Sequence, residues 1–223
     1  MAGQPATHPR ARLSRERVLT TAIALADRDG FESLSMRKLA DELGAGAMSL
    51  YHHVPNRDQL LDGMVDLVFG EIELPTTDVD WKTAMRRRAV STREVLRRHP
   101  WAVGVMEGRT DHGMANMRLH EAVLGCLRAA GFSLEMTVHA YSVQDAYLYG
   151  FALQEQDMSP ETSEDFAAEA GRQMQDYEAV LVDFPNLREV VGGHVATHGY
   201  DYATEFLFGL DLILDGLDAL RDA

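Results

Sequence analysis

Apolar residues recur at intervals of three and four along most of the chain, and no stretch shows the strict alternation of a half-buried strand. The pattern predicts an all-α protein. A first helix starts at Ser14, a residue type that caps helix N-termini, and runs to about Asp29. Val18, Ala22 and Ala26 form its apolar stripe, with Leu19, Ile23 and Leu25 beside it. Gly30 stops it. Ser35 caps a second, short helix that carries Leu39 and Leu43 and ends at Gly44. "GAG" at 44–46 makes a tight turn, because glycine reaches positive φ at low cost. A third short helix covers about Ala47 to His53, and Pro55 keeps it from running on. Asn56 with Gln59 has the form of a capping box for a fourth helix, about Arg57 to Glu71.

"LPTTDVD" at 74–80 reads as a linker. It divides a helix-turn-helix module at 14–73 from a body at 74–223, with residues 1–13 as a polar, disordered arm. Helices are expected in the body at Trp81–His99, 101–107, 113–130, 133–157, 163–182 and 200–221. "QDMSPETSED" at 156–165 is expected to be a mobile loop. The last helix carries Phe206, Leu210, Ile213, Leu214 and Leu217, with Phe208 and Leu212 on a neighbouring face. That stripe is broader than a surface helix needs. A symmetric four-helix interface between two copies, built with residues 133–157, would bury it.

Composition changes little of this. The chain has 223 residues, 46% hydrophobic and 25% charged, an ordinary globular balance. No apolar run approaches the roughly 20 residues of a membrane span, and the first residues lack the apolar core of a secretory signal. The single cysteine, Cys126, excludes an internal disulfide framework. A cytoplasmic protein with no membrane partner is expected. The charge is more informative. The net charge is −14, but residues 1–60 hold eight Lys/Arg against seven Asp/Glu, and the rest hold 13 against 28. Arg10, Arg12, Arg15 and Arg17 cluster at the start. This fits a small module facing a polyanion and an acidic body kept away from it.

Two short helices around a glycine-containing turn suit the helix-turn-helix, whose second helix lies in the DNA major groove. Here that helix presents Ala47, Met48, Ser49, Tyr51 and His52, while Leu50 and Val54 face the core. Serine and histidine hydrogen-bond bases or phosphates, whereas alanine and methionine make apolar contacts, for example with a thymine methyl. Tyr51, His53 and Arg57 suit phosphates, which fix register without reading sequence. Arg37 reaches a base or a phosphate.

Catalytic and metal readings fare poorly. His52 and His53 are adjacent and diverge on a helix. "HVATH" at 194–198 has metal-binding spacing, but Val195 holds the place of a hydrolase's glutamate, and Gly192, Gly193 and Gly199 disfavour a firm helix. Neither His120-Glu121 nor Cys126 forms a nucleophile–base pattern, and no phosphate-cradling loop is visible. No enzyme, metal or cofactor is expected.

The stretch "LSMRKLADELGAGAMSLYHHVPNRDQLLDGM" resembles the DNA-binding domain of the tetracycline-repressor (TetR) family, in its capping serine, "KLA..LG", turn and "LY.H". The similarity extends back through "RVLTTAIALADRDGFESLS". In the body, "GFSLE" at 131–135, "EQ" at 155–156 and "FLFGLDLILDGL" at 206–217 are similar to the tetracycline repressor's own class. The resemblance implies an all-helical homodimer with two N-terminal reading heads and a C-terminal ligand-binding and dimerisation domain. It implies a repressor that leaves a near-palindromic double-stranded operator when a small organic effector binds. The alternatives are an activator on this scaffold, or a helical binding protein that has lost specific DNA recognition. The implied DNA contacts are Arg37, Ala47, Met48, Ser49, Tyr51, His52, His53 and Arg57. The tetracycline repressor has glutamine at the place of Ala47 and proline at that of Met48, so a different operator is implied. Its drug–magnesium contacts correspond to Arg88, Met106, Val123 and Gln154, with Glu107 or Arg109 as possible substitutes nearby. A different effector without magnesium is therefore expected. Apolar pocket candidates are Trp101, Met106, Met117, Val123, Leu127, Tyr147 and Phe151, with Arg88, His120 and Gln154 as polar anchors.

Overall fold

A computed structural model describes residues 13–107, 113–156, 163–177 and 180–221. The described residues are helical with no strand. The N-terminal helices are α1 (Arg15–Asp29), α2 (Met36–Leu43), α3 (Ala47–Tyr51) and α4 (Arg57–Phe69). They are followed by α5 (Trp81–Arg98), α6 (Trp101–Glu107), α7 (Met114–Ala129) and α8 (Leu134–Gln156). The chain ends with α9 (Ser163–Asp176), α10 (Pro185–Val190), α11 (Ala196–His198) and α12 (Tyr202–Leu220).

The chain forms two compact units. One comprises the described residues up to 75 together with 91–122, and the other comprises 76–90 and those from 123 onward. One break between the units falls at 75/76, within the expected 74–80 linker; the others fall inside α5 and α7, each of which gives residues to both units.

In the first unit the caps fall where the sequence places them. Ser14 accepts from the Arg17 amide at 3.2 Å, Ser35 from Lys38 at 3.2 Å, and Asn56 from Gln59 at 2.8 Å. Each supplies an acceptor to an N–H that the helix itself leaves unpaired. Val18, Leu19, Leu25, Leu39, Leu50, Val54, Leu60, Met64 and Val68 are buried together as the core of α1–α4. Full burial of such a side chain contributes about 1.5–3 kcal/mol, so this small core outweighs the weak intrinsic stability of five- and eight-residue helices.

In the second unit α8 and α12 cross closely. The Tyr147 hydroxyl donates to the Phe206 carbonyl at 2.9 Å, and the two rings stack with centroids 5.7 Å apart. Phe151 meets Phe206 edge-on at 5.2 Å. A side chain at Gly209 would overlap the Tyr147 hydroxyl, so only glycine lets the tyrosine lie across α12. The start of α5 is fastened to α12 by charge. Lys82 lies 2.9 Å from Asp215 and 3.0 Å from Asp218, and Arg86 pairs with Asp211.

Three sequence expectations change. The helix expected over 163–182 stops at Asp176, where the Val180 and Leu181 amides turn back to the Tyr177 carbonyl and lead into a 3-10 turn at Leu181–Asp183. The stretch around "HVATH" is helical after all. Pro185 opens α10 with its fixed φ, and the run continues through a π-helical turn, Val191–Val195, which widens at the glycine pair, into α11. The third helix is shorter than expected, with His52 as its cap. Residues 1–12, with Arg10 and Arg12, lie outside the described residues, as do Arg109 and most of the expected 156–165 loop.

Candidate nucleic-acid interface

The turn between α2 and α3 is built by backbone alone. Gly44 takes φ 60°, ψ 32°, the left-handed conformation in which glycine avoids a steric cost. Its amide donates to the Asp41 carbonyl at 3.1 Å, and the Ala45 amide donates to Ala40 at 3.0 Å. These are the paired bonds of a Schellman ending. Gly46 is extended and its carbonyl takes the Ser49 amide at 2.8 Å, which starts α3. Leu50 and Val54 are fully buried and root α3 in the core, and the Leu50 carbonyl holds the amides of His53 and Val54 at 2.8 Å.

With that side anchored, the rest of α3 faces outward. Met48 is 77% exposed, Tyr51 is exposed, and so are Ala47, Ser49 and His52. His53 is half-buried. Arg37 is exposed in the first turn of α2. Arg57, expected beside them, is also exposed but makes contacts within the fold. Its Nη1 donates to the Leu34 carbonyl at 3.2 Å, and its guanidinium lies 5.9 Å from the Phe31 ring centroid. Charged groups also tie α1 to α2. Asp29 meets Arg28 at 2.9 Å and Lys38 at 2.7 Å, and Arg28 reaches Glu42 at 3.2 Å. Hydrogen bonds from Arg28, then Lys38, push the Asp29 carboxyl down to about 2.

The expected effector residues are divided between the units. In the first, Trp101 is buried and donates its Nε1 to Asp27 at 2.7 Å. Met106 and His120 are half-buried, His120 with its Nδ1 2.8 Å from the Asn116 carbonyl, and Met117 is exposed. In the second, Val123 and Leu127 are core, Tyr147 and Phe151 pack on Phe206, and Gln154 is exposed. Trp101 and Tyr147 therefore use their polar atoms within the fold. Arg88 is 1% exposed, and its Nη2 donates to Asp145 at 2.6 Å. A guanidinium so buried needs that partner.

Asp145 was not anticipated, nor were its neighbours Tyr141 and Tyr149. Burial, reinforced by Asp145, pushes both phenol groups well above their ordinary value. Their spacing of four on one face of α8 was the available signal.

The expected dimer stripe is divided between inside and outside. Phe206, Leu210, Leu214 and Leu217 are buried within the single chain, and Ile213 is half-buried. The apolar side chains left outside on α12 include Phe208, 64% exposed, Leu212, 60% exposed, and Leu220. His194 and His198 stack with ring centroids 4.9 Å apart, but among the described residues no group of three or more His, Cys, Asp or Glu could hold a metal ion. No described helix is long and apolar enough to cross a membrane.

Comparison with known proteins agrees with this architecture. Residues 18–64 match the family described as bacterial regulatory proteins, tetR family, and residues 74–221 match the tetracyclin repressor-like C-terminal domain. The chain is 36% identical to the HTH-type transcriptional repressor DrrR1 of Streptomyces coeruleorubidus, over 97% of this chain and 82% of that protein. It is 28% identical to the class G tetracycline repressor protein of Vibrio anguillarum, over 95% of this chain and 97% of that one. Among solved structures, the Streptomyces coelicolor TetR family protein ActR in complex with actinorhodin superposes with a TM-score of 0.78 at 29% identity, covering 96% of this chain and 100% of that one. The chain belongs to the tetR family of bacterial regulatory proteins.

Proposed function

We propose that this protein is a dimeric, cytoplasmic transcriptional repressor that α3 docks onto a near-palindromic operator and that a small organic effector releases. The observation that carries the reading is the division of α3 into a buried root, Leu50 and Val54, and an outward set of Met48, Ser49, Tyr51 and His52. Ser49 and His52 hydrogen-bond base edges, and Ala47 and Met48 make the apolar contacts. Tyr51 and His53 hold phosphates and so fix register, while Arg37 reaches a base or a phosphate. Two copies related by a two-fold axis place their heads about one DNA turn apart, roughly 34–36 Å. The repressor DrrR1 and the tetracycline repressors support the direction of control. ActR structures in complex with actinorhodin and with (S)-DNPA support an organic effector. Arg88 is the polar anchor we assign to it. Such a ligand releases DNA only by binding more tightly to the form whose heads are wrongly spaced; couplings of this kind are worth about 1–3 kcal/mol.

The test is selection of duplexes from a randomised pool, followed by gel-shift titration. Tyr51→Ala is expected to weaken binding to every duplex. Ser49→Ala and His52→Ala are expected to relax preference at their own base positions by about 1–3 kcal/mol. Unchanged affinity in Tyr51→Ala would overturn the placement of α3.

A further inference from the structure

Arg57 closes the reading head. Its Nη1 reaches the Leu34 carbonyl, 23 positions back in the chain. Leu34 is the residue before the Ser35 cap of α2, and Arg57 is the first residue of α4. One hydrogen bond therefore joins the start of the helix-turn-helix to its end, with α2, the turn and α3 inside the loop.

The guanidinium is itself supported from beneath. It lies over the Phe31 ring, within the reach of a cation–π contact. Phe31 also stacks with Trp101, with centroids 5.8 Å apart and planes 12° apart. Trp101 is pinned in turn. Its Nε1 donates to Asp27, both of whose carboxylate oxygens are 3.0 Å from His99 Nδ1. His99 Nε2 lies 3.5 Å from Glu71, which receives Arg98 at 2.7 Å. His99 and Trp101 are both buried. The column thus stands on fixed groups from α1 and the end of α5, and its top is a side chain that spans the reading head's base.

We infer that Arg57 is a positioning residue that holds α3 at its reading angle through the column Trp101–Phe31–Arg57, and not a phosphate ligand. The inference rests on the DNA-binding reading above. The chemistry separates the two roles. A phosphate accepts a lysine as readily as a point charge allows, whereas the column needs a planar, stackable cation with fixed N–H directions. A phosphate ligand also adds about 0.9 to the slope of log affinity against log salt.

The experiment compares Arg57→Lys, Arg57→Gln and Phe31→Leu with wild type, on the duplex that wild type selects and on random duplex. Arg57→Lys is expected to lose about tenfold in affinity for the selected duplex, the worth of one hydrogen bond to a charged group. Arg57→Gln and Phe31→Leu should lose about as much as Arg57→Lys, with affinity for random duplex and the salt slope unchanged. Phe31→Tyr, which keeps the ring, should restore wild-type binding. Wild-type affinity in Arg57→Lys, with a slope reduced by about one in Arg57→Gln, would make Arg57 a phosphate ligand and overturn the inference. Amide hydrogen exchange judges the column without DNA. Residues 35–56 should exchange faster in all three variants while α8 is unchanged; identical exchange overturns the column even if wild type selects no duplex, a result that would count separately against DNA binding.

Discussion

The reading head and the second unit leave their apolar side chains in different places. Up to residue 75, the large apolar residues outside are Met48, Tyr51, Leu67 and Leu74, and two of these four lie on α3. The second unit exposes Leu134 and Val138 on α8, Phe208 and Leu212 on α12, and Val182, Phe184, Leu187 and Val190 in and around α10. Both pairs on the long helices are spaced i, i+4, which puts each pair on one helical face. The head has its own core within the single chain, and Met48 and Tyr51, the two outside on α3, fall on the surface proposed to read DNA. The second unit is stable inside but unfinished outside, since exposed apolar patches of this kind mark interaction surfaces. Under the dimeric reading proposed above, the contact falls on the faces bearing Leu134, Val138, Phe208 and Leu212.

The contrast can be broken most sharply at α12. The double substitution Phe208→Glu, Leu212→Glu should leave the helical signal intact yet convert dimer to monomer in sedimentation. Binding to a two-half-site duplex should then fall about 10²–10⁴-fold, the advantage of linked heads. A dimer that survived would move the interface elsewhere. Next in size is Gly209→Ala. Its methyl group must displace Tyr147, and overpacking of this kind costs about 1–3 kcal/mol. Urea unfolding should show the loss in the second unit, while amide exchange in α1–α4 stays as in wild type.

The smallest effect belongs to the head. Asp29 is held charged by Arg28 and Lys38, with its carboxyl pushed down to about 2. In the unfolded chain it titrates near 3.9. Its charged form thus favours the folded head above about pH 4, and that help fades as pH falls toward 2. Asp29→Asn should flatten the acid limb of head stability by removing a little stability at neutral pH and none near pH 2, and the loss is small because the group is exposed and screened.

The head was legible because its signals are local. Ser35, Gly44 and Asn56 each act within a few residues, and each capping bond forms as its spacing requires. Long-range partners were not legible. Nothing near Trp101 in the chain points to Asp27, 74 positions away, and nothing near Arg57 points to Leu34. Tyr147 and Phe151 have the size and spacing of pocket residues, yet the nearness of α12 makes them packing residues. Phe206 and Phe208 are two apart on one apolar helix, and only the position of α8 decides which of them turns inward. The π-helical turn at Val191–Val195 was hidden by the glycine pair, which by propensity argues against any helix.

The chain holds two tryptophans, and they fall one to each unit. Trp81 meets the edge of Phe132 at 4.9 Å, and Trp101 shares the Asp27 carboxylate with His99. The protein therefore carries a built-in pair of fluorophores, one in each unit, each packed against a phenylalanine ring and hydrogen-bonded to a carboxylate. Replacing either indole by phenylalanine leaves a single lamp whose colour and brightness report on its own unit, so light alone can tell which of the two responds first to DNA and which to a small molecule.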